Sequence, residues 1–126
     1  LYLRVSDLIL QNPKPYVQPT TPVKQVIMEI TRNRLGAAAV LDESGKITGI
    51  VTDGDLRRML ERSESMDVLT AKDIMSSAPK SITSDALAVE ALELMRSKNI
   101  SQLLVTDHEQ YAGIIHLHDL IREGII

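Results

Sequence analysis

The chain has 126 residues and a formal net charge of −3, with 44% apolar residues, 2% aromatic residues and no cysteine. This balance suits an aliphatic core and argues against a stacking platform for single-stranded nucleic acid, a DNA-binding surface or a polybasic membrane patch. Disulfides and thiolate metal ligands are excluded, and without a long apolar run or a visible signal peptide we expect a cytoplasmic protein with no membrane span.

The first half of the chain predicts the order strand, helix, strand, strand and helix. Tyr16–Gln18 is a short extended segment, and Thr21 before Pro22 predicts a helix start with Thr21 as the N-cap. Apolar residues then recur at helical spacing, namely Val23, Val26, Ile27 and Ile30. Ala37–Leu41 and Ile47–Val51 predict the two strands of a hairpin.

The last helix of this half begins after the hairpin. Thr52 and Asp53 predict its cap, and three apolar side chains are expected to face the core, namely Leu56, Met59 and Leu60. The polar residues 62–67 that follow predict a loop.

The second half repeats the first at an interval of about 65 residues. Val17–Asp42 reappears as Ile82–Asp107, and Gly49–Arg58 reappears as Gly113–Arg122. Two copies of one supersecondary unit, each too small to bury its own apolar face, are expected to pack together. A ligand cleft is expected at the seam between such halves.

The same elements are therefore predicted again in the second half. Ser84 and Asp85 predict the cap of its first helix, and His118 with Asp119 predicts the start of its last helix. We expect an α/β fold of two β-α-β-β-α repeats, with a first domain at residues 12–70 and a second at 79–126. Because the chain begins on Leu1 rather than Met, residues 1–11 are expected to be a lead-in from a missing N-terminal domain.

Three stretches carry a resemblance to a known family. They are Leu3–Asp7, Thr52–Arg58 and His116–Leu120, and the first repeat closes with Gly-Ile-Val-Thr-Asp-Gly-Asp-Leu. The chain resembles a tandem CBS domain pair, or Bateman module, and is similar to the C-terminal regulatory region of KpsF/GutQ-type D-arabinose-5-phosphate isomerases. This resemblance implies two repeats related by a pseudo-two-fold axis and a separate N-terminal sugar-isomerase (SIS) domain that carries the chemistry.

Thr52 and Asp55 form the sharpest candidate site. A hydroxyl at a strand end, next to the first turn of a helix, suits a phosphate group, and a carboxylate one turn later suits two ribose hydroxyls. The resemblance implies these roles in binding a nucleotide. The alternative interpretation is a helix cap with an acidic first turn. Arg34 is a candidate for the mouth of the cleft, and Gly36 is small enough for close approach of a base or sugar.

The second repeat has His116 in place of the hydroxyl and keeps the acid as Asp119, with Ser101 opposite Gly36. An imidazole can still donate to phosphate, so a related but different site is predicted. His116 and His118 also raise the possibility of a metal site with His108 or Asp119, but no third ligand stands at a recognisable spacing, and no metal is expected.

No nucleophile–base pair or phosphate-cradling glycine loop is apparent, so the fragment is expected to be non-catalytic. The resemblance implies a regulatory module that senses CMP-Kdo or an adenine nucleotide (AMP or ATP), requires no cofactor, forms a homodimer and has no nucleic-acid or membrane partner. The alternative is a ligand-independent oligomerisation module. Its interface would use the tail Gly124-Ile125-Ile126 and surfaces of the type of Met59 and Met95.

Overall fold

The computed structural model describes residues 2–62 and 65–126 and divides them into two compact units. The first repeat unit consists of the described residues within 14–79. The second repeat unit consists of residues 80–126 together with residues 2–13 at the start of the chain. The predicted α/β class and the order β-α-β-β-α of each repeat are confirmed. The domain boundaries at 12–70 and 79–126 stay predictions.

The first repeat unit contains a three-stranded sheet in the order β1-β2-β3, with β1 parallel and β3 antiparallel to β2. The strands are β1 (Tyr16–Val17), β2 (Ala37–Leu41) and β3 (Ile47–Thr52). The helices are α2 (Val23–Asn33), α3 (Asp53–Glu61) and the short α4 (Ala71–Ile74), and a 3-10 turn spans Met66–Val68. Residues 37–40 are all fully buried, because the helices cover this continuous apolar strand.

The second repeat unit has the same topology, with a sheet in the order β4-β5-β6. Its strands are β4 (Ser81–Thr83), β5 (Gln102–Asp107) and β6 (Gln110–His116). Its helices are α5 (Ala88–Lys98), α6 (Leu117–Arg122) and the short α1 (Val5–Leu8). Val5 and Leu8 of α1 are buried in the aliphatic core of this unit. Among the described residues, none of the helices has the length and apolarity needed to span a bilayer.

Each unit includes a short helix from a segment that lies before the other repeat in sequence. In the first unit, the N–H of Val23 at the start of α2 donates to the Leu69 carbonyl at 3.1 Å. In the second unit, the N–H of Ala88 at the start of α5 donates to the Leu3 carbonyl at 2.8 Å. In each unit, a main-chain carbonyl from the segment next to its short helix therefore satisfies an N–H group that a helix start leaves without an intrahelical partner.

These contacts explain why two predicted caps are wrong. The hydroxyl of Thr21 accepts from the N–H of Gln18 at 2.9 Å instead of capping α2, and Pro22 stands at the N-cap position. Helix α5 begins after Leu87 rather than at the predicted Ser84-Asp85. The side chain of Glu90 accepts a hydrogen bond from the Leu87 N–H at 3.0 Å, so a residue of the first turn satisfies the N–H of the N-cap residue.

Two smaller predictions also differ from the structure. Leu60 does not face the core, since it is 66% exposed, whereas Met59 beside it is buried. Helix α6 begins at Leu117, one residue before the predicted start, with His116 as its N-cap. Within the predicted loop 62–67, residues 63 and 64 lie outside the described residues.

Candidate functional site

Thr52 and Asp55 meet at the junction between β3 and α3. Thr52 is the N-cap residue in an extended conformation, and its hydroxyl accepts from the Asp55 N–H at 3.3 Å. In return, Oδ2 of Asp55 accepts from the Thr52 N–H at 2.9 Å and from its hydroxyl at 3.1 Å. This reciprocal arrangement is a capping box, with Asp in the place that Glu usually takes. The capping interpretation of Thr52 and Asp55 is thus realised in the structure.

Asp55 also has partners outside the box, and its side chain is only 5% exposed. Oδ1 accepts from Nη2 of Arg58 at 2.6 Å and from the Ser76 hydroxyl at 3.1 Å. A buried carboxylate is tolerated when it is paired and hydrogen-bonded, and Asp55 satisfies both conditions. The Arg58 side chain remains 64% exposed, so positive charge reaches the surface at this point.

Gly36 lies beside the same helix start, because its carbonyl accepts from the Asp53 N–H at 3.0 Å. Gly36 has a φ of 71°, which a residue with a side chain adopts only with strain. The structure therefore brings Gly36, Thr52 and Asp55 together. Arg34, two residues earlier, ends α2 in the left-handed conformation at a φ of 62° and is exposed.

The second repeat places its three predicted residues in the equivalent positions. The carbonyl of Ser101 accepts from the Leu117 N–H at 2.8 Å, as Gly36 does from Asp53. Oδ2 of Asp119 accepts from the His116 N–H at 2.8 Å and from Nδ2 of Asn12 at 3.0 Å. Oδ1 accepts from Nη2 of Arg122 at 2.9 Å, and Asp119 is 2% exposed.

His116 replaces the capping hydroxyl with an imidazole nitrogen. Its Nδ1 accepts from the His118 N–H at 2.9 Å, so the neutral ring carries its proton on Nε2. The rings of His116 and His118 lie 4.2 Å apart between centroids. Over residues 2–62 and 65–126, no three His, Cys, Asp or Glu side chains are grouped so that they could hold a metal ion.

Sequence reasoning missed the side chains that complete the two carboxylate sites. Arg58 and Arg122 were not among the predicted site residues, although each lies three residues after its Asp, and this spacing places the two on one helix face. Ser76 and Asn12 lie 21 and 107 residues from their partners. No local pattern signals contacts at such separations.

The capping box at the start of α4 has the same form as that of Thr52 and Asp55, and it shifts the pKa of its acid, Asp73. In α4, the N–H of Thr70 and then its hydroxyl hydrogen-bond to Asp73 and lower the pKa of that carboxyl below its ordinary value. The two hydrogen bonds measure 2.8 and 3.1 Å, which matches the geometry at Thr52 and Asp55. Asp73 is exposed, however, so burial distinguishes the two carboxylates.

The sequence pattern of the CBS domain matches residues 5–62 and 71–125. The chain is 41% identical to an arabinose 5-phosphate isomerase of Salmonella typhi and 36% identical to that of Escherichia coli K12, each over 127 aligned positions. Each alignment covers all of this chain and 39% of the relative. The chain thus spans about two fifths of the length of these relatives. The predicted resemblance to the CBS pair of such isomerases is confirmed.

Solved structures show the same fold. A CBS domain protein from Pyrobaculum aerophilum, solved with AMP, has a TM-score of 0.85 and 25% identity over 94% of this chain and 90% of that one. A CBS-domain protein from Agrobacterium tumefaciens has a TM-score of 0.85 and 19% identity over 97% of this chain and 93% of that one. The chain therefore belongs to the CBS domain family and consists of a tandem pair of these domains.

Proposed function

We propose that this CBS pair is a non-catalytic regulatory module that binds a nucleotide at Thr52 and Asp55 of the first repeat. The observation that carries the proposal is the junction between β3 and α3, where a hydroxyl, a carboxylate and the exposed guanidinium of Arg58 stand together. The AMP complex of the Pyrobaculum aerophilum relative supports the class of ligand.

The chemistry of each group suits one part of a ribonucleotide. A phosphate next to the first turn of α3 would lie at the positive end of the helix dipole, and the Thr52 hydroxyl would donate to it by turning its proton away from Oδ2 of Asp55. The carboxylate of Asp55 accepts from ribose hydroxyls. Main-chain groups beside Gly36 can contact the base, since the glycine leaves space for close approach. Arg34 supplies positive charge that balances a phosphate.

In the second repeat, His116, Asp119 and Ser101 are the corresponding groups. An imidazole with its proton on Nε2 donates to a phosphate or a carboxylate oxygen. We therefore propose a second site that prefers a different anion from the first. The nucleotide-activated sugar CMP-Kdo combines a cytidine ribose, a phosphate and a carboxylate, and AMP or ATP is the competing effector.

The relatives suggest what the module regulates. Because they are arabinose 5-phosphate isomerases, we propose that the chain acts on an attached sugar-isomerase domain that supplies arabinose 5-phosphate for Kdo. A ligand that prefers one conformation of the pair would bias the activity of that domain.

A ligand-independent oligomerisation module is the second candidate. Large apolar side chains on or next to the helices are more than half exposed, namely Leu60, Val89, Ile121 and Ile126. Burying such side chains in a homodimer would be favourable. Met59 and Met95 cannot contribute to this interface as predicted, because each is 1% exposed.

Titration calorimetry tests the regulatory proposal. CMP-Kdo, AMP and ATP are titrated at up to millimolar concentration into the protein and into its Asp55→Asn variant. We expect binding of at least one nucleotide and a loss of about 1.5–3 kcal/mol in the variant, as for hydrogen bonds to a charged group.

Asp42→Asn is the control, because it removes carboxylate hydrogen bonds in the hairpin turn, at the opposite end of β2 and β3 from Thr52, and should leave the affinity unchanged. Absence of heat with every nucleotide would contradict the proposal. Ligand-independent dimers in sedimentation, together with no binding heat for any nucleotide, would support the oligomerisation module instead.

A further inference from the structure

The carboxylate of Asp55 is fully occupied by groups of this chain. A carboxylate offers about four acceptor positions, two on each oxygen. Oδ2 accepts from the N–H and the hydroxyl of Thr52, and Oδ1 accepts from Arg58 and Ser76. Ligand hydroxyls therefore bind Asp55 only after at least one of these four donors has left.

The donors differ in how easily they leave. The Thr52 N–H belongs to the backbone at the helix start, and the Thr52 hydroxyl leaves Oδ2 only when it donates to the phosphate, so the second of two ribose hydroxyls has to bind Oδ1. Arg58 neutralises the buried carboxylate at 2.6 Å, and its departure would leave that charge unpaired. Ser76 is a neutral donor at 3.1 Å on an exposed residue, so its hydroxyl can exchange Asp55 for water at low cost.

The backbone of Ser76 stays in place when its side chain turns. The N–H and carbonyl of Ser76 pair with the carbonyl and N–H of Ile50 at 2.8 and 3.0 Å. A methyl group at Gly49 would come within 2.7 Å of the Ser76 carbonyl, which shows how closely the two segments approach. Rotation about one side-chain bond is therefore enough to remove the hydroxyl from Asp55.

We propose that the Ser76 hydroxyl is an internal competitor for Oδ1 of Asp55 and sets the affinity of the first repeat for ribose hydroxyls. The ligand hydroxyl takes the acceptor position on Oδ1, and the Ser76 hydroxyl turns to solvent. This inference rests on the proposed function, since it assigns Asp55 to a ribose. It goes further because it makes a residue outside the capping motif the determinant of affinity.

The second repeat provides an internal contrast. Within the part of the chain that the structure describes, Asp119 accepts three hydrogen bonds, from His116, Asn12 and Arg122. Oδ1 of Asp119 accepts from Arg122 and from no serine. The second carboxylate therefore keeps one acceptor position that needs no internal donor to leave.

The experiment measures AMP and CMP affinity by calorimetry for the wild-type chain and Ser76→Ala. Removing a competing neutral hydrogen bond should tighten binding about 2–10-fold. Ser76→Thr keeps the hydroxyl and should retain wild-type affinity, and Ser77→Ala is the neighbouring control without an effect. A thermal denaturation curve for each variant confirms that it is folded.

The 2′,3′-dideoxy form of each nucleotide separates competition from a general structural effect. It lacks the hydroxyls that would replace Ser76, so its affinity should be the same for Ser76→Ala and wild type. Binding by the wild-type chain without tightening in Ser76→Ala would overturn the inference and leave the proposed function standing. Binding by Ser76→Ala but not by the wild type would support the inference and the proposed function. Absence of binding by both proteins would overturn the inference and the proposed function.

Discussion

Asp55 and Asp119 stand at the same position of the two repeats, yet the chain satisfies them differently. Both are buried, both accept the N–H of the N-cap residue, and both pair with an arginine three residues later. Asp55 then accepts from the hydroxyls of Thr52 and Ser76, whereas Asp119 accepts from Asn12. A repeated motif therefore sets the position of the carboxylate, and non-repeated residues set how much of it remains for a ligand.

The segment that precedes each repeat in sequence accounts for this difference, through Asn12 before the first repeat and Ser76 before the second. Ser76 follows α4, and its backbone pairs with Ile50 of β3 in an isolated β-bridge, which holds its hydroxyl next to Asp55. Asn12 follows α1 and reaches Asp119 with a longer side chain. Because each contact comes from a segment distant in sequence, the two sites can diverge without any change in the helix that carries the acid.

Replacing each buried acid with its amide should have the largest effect. Asp55→Asn and Asp119→Asn each lose the ion pair with arginine and place an amide NH2 against hydrogen-bond donors. The expected loss is about 2–4 kcal/mol of unfolding free energy, between a single hydrogen bond and a wholly buried pair. Asp55→Asn should cost more, since the amide NH2 faces two donors whichever Asp55 oxygen it replaces, whereas at Asp119 it can replace Oδ1, which accepts a single bond.

Urea denaturation followed by circular dichroism measures both losses. Asp73→Asn is the exposed control and should cost much less than either buried acid, because water replaces the lost bonds. Equal losses at positions 55 and 73 would show that burial does not separate the sites.

Alanine at the paired glycines Gly49 and Gly113 should have the next largest effect, for a different reason in each repeat. At position 49 the added methyl would come within 2.7 Å of the sulfur of Met75 and of the Ser76 carbonyl. At position 113 the φ of 139° disfavours any residue with a side chain. Each variant should lose about 1–3 kcal/mol.

Gly54→Ala is the control, since its methyl would meet only the flexible end of Arg58 at 3.4 Å and the hydroxyl of Thr52 at 3.5 Å. This change at the start of α3 should raise stability by up to about 1 kcal/mol. Thermal midpoints measure all three variants. A Gly49→Ala protein as stable as the wild type would show that Ser76 is not closely packed against β3.

The exposed capping box of α4 should show the smallest effect, as a dependence on pH. Hydrogen bonds from Thr70 lower the pKa of Asp73, so the folded state favours the ionised carboxylate. The stability that this provides is fully present above the pKa of the unfolded chain and is lost as the pH falls through the lower pKa of the folded state. Asp73 should titrate below 3.8 by NMR, and Thr70→Ala should move its pKa upward.

Asp42 is the reference for that titration. Hydrogen bonds from the Ser44 side chain, and then from the backbone of Lys46, lower the pKa of Asp42 within its own turn. Thr70→Ala should therefore leave the Asp42 titration unchanged. A parallel shift of both groups would indicate a general change in the fold instead of the loss of one cap.

The repeat, the order of strands and helices and the acid at the start of each last helix were all predictable from the sequence. Apolar periodicity and turn residues are local signals, and Thr52 with Asp55 is a local motif. The predicted caps at Thr21 and Ser84-Asp85 failed because the helix starts use distant carbonyls of Leu69 and Leu3 instead of a nearby hydroxyl. Helix-capping preferences of neighbouring residues cannot predict a hydrogen-bond acceptor that comes from a distant part of the chain.

The sequence by itself determined where the carboxylates stand on their helices, because three-residue spacing and capping chemistry act within one turn. Four aspartates have this spacing from an N-cap residue, namely Asp7, Asp55, Asp73 and Asp119. Only tertiary structure decided that Asp55 and Asp119 are buried while the other two are exposed. Burial depends on which segments pack over a helix start, and that packing is a property of the folded chain as a whole.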